Sequence, residues 1–217
     1  MLLVPLSALP EALISFLLIL LICLPLHEFG HAWSAVKMGD TLPYYQGRVT
    51  LNPLRHIDWI GAALLAFVGF GWAKPVQVNP YGLRKAPSLR VGMLVVAMAG
   101  PLMNVLLAVV AALPFRLGLV SVRDIVLNHP IALILYSLLT INLVLAVFNL
   151  IPVPPLDGSR ILAVLLPAQY DNVMATLNQY GMFILLFLIL PLFGGQSAVT
   201  LVVMPIVSTL TRLFLGI

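Results

Sequence analysis

His27-Glu28-Phe29-Gly30-His31 lies inside an apolar run that begins near Ala12 and continues through Ala32, Trp33 and Val36. Histidines four apart fall on one face of a helix, where both can ligate a metal ion, and the glutamate between them stands ready as a base. In a membrane helix three ionisable groups cost at least about a few kcal/mol each unless they are paired or metal-bound. The competing view, that the helix has ended and these side chains are interfacial, is disfavoured because the apolar helical pattern runs on past His31. The stretch therefore predicts a membrane-spanning helix with a zinc site inside it. Pro10 suits the first turn of that helix, and Glu11 follows near the positive end of its dipole. At about 1.5 Å per residue, His27 falls roughly 25 Å from Pro10, toward the far side of a hydrocarbon core of about 30 Å.

The rest of the chain agrees with a bilayer setting. Of 217 residues, 62% are hydrophobic and 8% charged, and a mean hydropathy of +1.12 excludes an ordinary soluble domain. Apolar runs at 91–113, 131–151 and 199–215 approach the roughly 20 residues a span requires. The expected fold is an all-α polytopic membrane protein with five or six membrane segments. It forms one domain over residues 1–217, with a catalytic core at about 8–166 and C-terminal helices at about 174–217. The first run has no basic residue ahead of it and no clear small-residue cleavage site, so it is expected to be retained rather than removed as a signal. Cys23 is the only cysteine, which rules out an internal disulfide. The net charge of +4 resides in connecting loops, a positive-inside pattern that argues against a nucleic-acid partner.

Between the first two spans the character changes. Pro43, Gly47 and Pro53 break helices, and Arg48-Val49-Thr50-Leu51 alternates like a strand, so a short interfacial β-hairpin or sheet is expected over about 41–59. Residues 60–72 are apolar but too few for a comfortable span, which suggests a re-entrant or interfacial segment. Residues 74–80 look extended. Spans are expected at about 90–114 and 130–151, the latter ending at Pro152-Val153-Pro154-Pro155, followed by a short helical stretch to 166 and two apolar segments at about 180–192 and 198–215.

A catalytic zinc generally has three protein ligands and an open fourth position. Asp157 stands out as the third ligand because it is the only acidic residue between Ile125 and Ala168, just beyond prolines that break a helix at membrane depth. The alternative is a surface turn at Asp157-Gly158, with Asp157 capping a helix that starts at Ser159; the residues by themselves leave both open.

Three motifs then occur in order: HEFGH in the first helix, AGPLMN at 99–104, and FNLIPVPPLDGSRIL at 148–162. Together they resemble the site-2 protease family of intramembrane zinc metalloproteases. NPLRHIDWIG and FGWAKPVQVNP are similar to the linking segment of its compact members. The resemblance implies one Zn2+ per chain held by His27, His31 and Asp157, with Glu28 as catalytic base, and membrane-spanning or membrane-inserted peptides as substrates. PDZ and CBS domains of that family find no match in this sequence.

If His27 and Asp157 share a metal near the C-terminal ends of their helices, those helices run in the same direction and one span must return between them. The span at 90–114 does so, and residues 60–72 then do not cross. Lys37, Arg48, Arg55, Lys74, Arg84, Lys85 and Arg90 share the metal's face, which the positive-inside tendency makes cytoplasmic. Asn149 and Asn104 are candidates to donate to an oxyanion or hold the substrate, and each is open to the alternative of a helix-to-helix hydrogen bond. His56 and His129 read as solvated loop residues, Cys23 as a packed thiol, and Trp33, Trp59 and Trp72 as interfacial. A transporter or scaffold with an ion site at the proline break is the rival function, disfavoured because it has no need of a glutamate between two histidine ligands.

Overall fold

The computed structural model describes residues 9–192 and 194–217. The expected start of the core at residue 8 lies outside them. Among the described residues, five helices are long and apolar enough to cross a membrane, covering 12–37, 89–116, 130–149, 172–189 and 198–215.

The first is a continuous rod of α1 (Leu9–Leu18), a π-helical turn (Ile19–Cys23) and α2 (Leu24–Lys37). Pro25 accounts for the π turn. It cannot donate to the carbonyl four residues back, and the Leu24 N–H reaches Ile19 O, five back, instead. After α2 come the four-residue α3 (Leu42–Tyr45) and the ten-residue α4 (Trp59–Val68), whose first turn is capped by Asp58. Gly69, at φ +83, ends α4 and the chain doubles back. A Cβ on Gly61 would sit 2.2 Å from Trp72 O, so only glycine permits this return.

α5 (Leu89–Arg116) is capped by Ser88 and packs against α2, α7 and α8. α6 (Val122–Val126) carries a capping box of Ser121 and Asp124. Pro130 opens α7 (Pro130–Asn149) at the position where its missing N–H costs nothing. Beyond the proline turn follow α8 (Asp157–Leu165), α9 (Asp171–Ile189) and α10 (Ala198–Leu215).

One expectation is corrected. Among the described residues there is no strand, and the hairpin or short sheet expected over about 41–59 does not form; the single pairing is an isolated antiparallel bridge between Ile57 and Ala73. Arg48, whose alternation with Thr50 suggested a strand, turns its side chain inward and is only 4% exposed. There it bonds the carbonyls of Arg55 and Lys74. Side chains thus take over the backbone partners that a ladder would have supplied.

The larger of two buried clusters among the described residues lies in the half of the bundle away from the histidines, and a smaller one of Ala35, Leu83 and Val96 lies beside them. Ala108, Ala111, Leu139, Leu143, Val203, Val207 and Leu215 form a buried cluster shared by α5, α7 and α10. Arg116 donates through Nε to Phe214 O at 2.7 Å, and through Nη2 to Leu213 O. The last turn of α10 is therefore beside the last turn of α5, and the two helices run in the same direction. Since α7 ends on the histidine side and α10 starts there, α8 and α9 together make no net crossing.

Candidate active site

Close approach of two helices creates the site. A Cβ on Gly30 would lie 2.7 Å from Ala99 O, and one on Gly100 would lie 2.3 Å from His31 Nε2. Each glycine lets α5 run directly against α2 beneath the two imidazoles. Gly158 serves the same purpose for the third element, since a Cβ there would meet Leu150 O at 2.3 Å. α8 begins at Asp157 itself, which puts this residue inside the first turn rather than at the cap of a helix starting at Ser159.

His27, His31 and Asp157 are brought together, all buried. Asp157 Oδ2 lies 3.2 Å from His27 Nε2 and 3.1 Å from His31 Nε2, and the two Nε2 atoms are 3.1 Å apart. The proton positions follow from the partners behind the rings. Leu138 O can only accept, so Asn142 presents Nδ2 to it at 2.8 Å and turns Oδ1 toward Asn104. Asn104 Nδ2 donates to that oxygen at 2.8 Å, which leaves Asn104 Oδ1 to accept from His27 Nδ1–H at 2.6 Å. His31 Nδ1–H likewise donates to Val96 O at 2.7 Å. In their neutral form both imidazoles then present Nε2 as a bare lone pair, and the two converge on a buried carboxylate oxygen that has no other hydrogen-bond donor.

Three electron pairs this close repel unless a cation sits among them. Tetrahedral zinc with bonds of about 2.0–2.1 Å separates its ligands by roughly 3.3 Å, so the triangle fits that ion. Backing each ligand histidine with a hydrogen bond to its other nitrogen is how zinc sites fix the tautomer.

Glu28 is 9% exposed, and its Oε2 accepts from the Val76 N–H at 2.9 Å with Arg48 Nη2 at 3.9 Å. A cavity of about 340 Å3 opens over these groups. Leu24, Phe70, Trp72, Leu145, Phe148, Met182 and Leu185 give it apolar walls, while Asn149, Arg160 and the four site residues are its polar lining. Arg160 Nη1 is 4.0 Å from Asp157 Oδ1.

The two asparagines part company. Asn149 lines the cavity, with its Nδ2 turned back to Leu145 O at 2.9 Å. Asn104 is fully buried behind His27 and faces away from the cavity. Asn104→Ala is expected to weaken zinc binding about 10- to 100-fold while the protein still folds, measured by competition with a chelator; unchanged affinity would remove Asn104 from the site.

Asn142 escaped sequence reasoning although its signal, an amide in an apolar helix, equals that of Asn104. Its Nδ2 also donates to the buried Cys23 Sγ at 3.2 Å. His56 is 1% exposed rather than solvated. Its Nε2–H donates to Thr50 O at 2.8 Å, and burial pushes the imidazole below its ordinary pKa. His129 is exposed, as expected, just ahead of α7. Trp33, Trp59 and Trp72 are 49%, 72% and 41% exposed, in keeping with interfacial anchors.

Lone pairs gathered for one cation beside a buried glutamate, inside a bundle of apolar helices, are those of a membrane zinc metallopeptidase. The profile of peptidase family M50 matches residues 116–191. Among curated proteins, YwhC of Bacillus subtilis (strain 168) is 36% identical over 195 residues, covering 88% of this chain and 85% of its own length. Rip2 of Mycobacterium tuberculosis (strain H37Rv) is 31% identical over 180 residues, covering 78% of this chain and 64% of its own length. Both carry the designation "Putative zinc metalloprotease". Zinc metalloprotease MJ0392 of Methanocaldococcus jannaschii is 28% identical over 180 residues, covering 83% of this chain and 42% of its own length. No solved structure matches the chain significantly. The chain belongs to peptidase family M50 and is a zinc-dependent metalloendopeptidase of the membrane, which sets aside the transporter reading.

Proposed function

We propose that this enzyme cuts membrane-spanning or membrane-inserted peptides near the cytoplasmic face, in regulated intramembrane proteolysis or in clearance of signal peptides. The observation that carries the reading is the cavity. Its walls are apolar, yet its floor holds His27, Glu28, His31 and Asp157, a combination suited to a greasy peptide that must meet water.

His27, His31 and Asp157 would hold the zinc. Bound there, zinc supplies Lewis acidity that polarises a peptide carbonyl and acidifies a water. Glu28 takes that water's proton and passes it to the departing amine as the C–N bond breaks. Asn149, on the cavity wall, is suited to donate to the carbonyl oxygen as it becomes negative. A helical substrate hides its peptide bonds in its own hydrogen bonds, so it must unwind to be cut. The extended segment around Val76, which borders the cavity, is suited to receive the unwound strand by backbone pairing. The basic residues of the loops between α2 and α5 support a cytoplasmic orientation.

The test uses the full chain in vesicles with a peptide that partitions into the bilayer and a shortened, water-soluble version of the same cleavage sequence. The bilayer peptide is expected to be cut with the higher kcat/KM, and a cysteine placed at Tyr45 to be labelled only from the cytoplasmic side. Equal cleavage of the soluble peptide, or labelling from the other side, would sink the corresponding half of the reading.

A further inference from the structure

Arg48 is a buried cation in a loop, and burying a guanidinium is costly unless its donors are satisfied. Nη1 donates to Arg55 O and Nη2 to Lys74 O, so one planar group ties together the two sides of the segment that leaves and rejoins the bundle around α4. Two residues past Lys74, the Val76 N–H donates to Glu28 Oε2, the same oxygen that Arg48 Nη2 approaches at 3.9 Å. Pro75 lies between them, and its fixed φ passes the orientation of Lys74 on to Val76 with little slack. Farther along, the Asn79 N–H donates to the buried Asp40 Oδ2 at 2.7 Å, an anchor independent of Arg48.

We propose that Arg48 is a positioning residue for Glu28. By pinning the Lys74 carbonyl it holds the Val76 N–H against Oε2, which leaves Oε1 as the oxygen that accepts the water's proton. The inference rests on the reading of Glu28 as base. Arginine suits this task because its fork serves two carbonyls at once, whereas a lysine ammonium is a point donor on a flexible stem. Removing the fork frees the arm at its centre while Asp40 still holds its far end, so the fault is in the orientation of the base rather than in the metal or the cavity walls.

The experiment compares the full-length parent with Arg48→Ala, Arg48→Lys, Val76→Pro and Glu28→Gln, reading zinc content, kcat, KM for a membrane-inserted peptide, and hydrogen exchange across residues 74–79. Both Arg48 variants are expected to keep one zinc per chain and to lose about 10- to 100-fold in kcat with KM within about threefold. Exchange at the Val76 amide should quicken by about tenfold or more. Lysine is expected to rescue little. Parental kcat in either Arg48 variant, a loss that enters through KM alone, or unchanged exchange at Val76 would overturn the proposal. Should Arg48→Ala fail to fold, Val76→Pro decides, because it removes the donor and leaves Arg48 in place: a similar fall in kcat with KM within about threefold supports the proposal, and parental kcat or a loss that enters through KM overturns it. Glu28→Gln cutting at the parental rate removes the base reading and this inference with it, whereas an inactive Glu28→Gln beside a fully active Arg48→Ala overturns this inference alone.

Discussion

Glu28→Gln is expected to hold one zinc per chain and to cut a membrane-inserted peptide at least about a thousandfold more slowly than the parent. Glutamine has the shape of glutamate, and its amide oxygen can still accept from the Val76 N–H that now meets Oε2 at 2.9 Å. Nothing in the triangle of His27, His31 and Asp157 touches the exchanged atoms. What disappears is a group that can carry a proton from water to the leaving nitrogen. Elemental analysis of the purified variant beside single-turnover cleavage makes the check. A variant that retains zinc and cuts within tenfold of the parent would exclude Glu28 as the base.

Asp157→Ala is expected to fail one step earlier, at the metal. The carboxylate is the only anionic member of the triad, and its Oδ2 faces both Nε2 atoms at 3.1–3.2 Å. Two neutral imidazoles are a poor cage for a divalent cation, so zinc binding should weaken by more than about a hundredfold and cleavage should fall to background. The graded comparison is informative. Asn104→Ala, which removes the group behind His27, should be intermediate between the parent and Asp157→Ala in a chelator competition. Stoichiometric zinc in Asp157→Ala under the same chelator would show that the metal's third ligand is another residue.

Most of the helical plan was legible because bilayer physics acts on length. Runs at 91–113 and 131–151 are too long and too apolar for anything but spans, and α5 and α7 follow them within a few residues. The HExxH stretch was legible because helix periodicity alone sets two imidazoles on one face. Asp157 needed both its isolation among apolar residues and the resemblance of its motif, since a turn before a short helix writes the same local sequence. The segment between α2 and α5 resisted. Its order comes from single side chains reaching across it, Arg48 to Lys74, His56 to Thr50 and Asp40 to Asn79, and no periodicity records such contacts. Hydropathy likewise sees that α10 is apolar but is silent on its direction, which Arg116 reveals by bonding the carbonyls at its end.

The buried cluster of α5, α7 and α10 has a meaning beyond cohesion. An enzyme that hydrolyses bonds within a membrane must bring water partway into an insulator without turning the membrane into a conductor. Here the cavity over the site is confined to one side of the bundle, and beneath it the Asn104, Asn142 and Cys23 contacts give way to close-packed alanine, leucine and valine. Close-packed apolar side chains disfavour a continuous file of water molecules. The apolar half of the molecule is thus suited to separate a site that needs water from the opposite face of the bilayer.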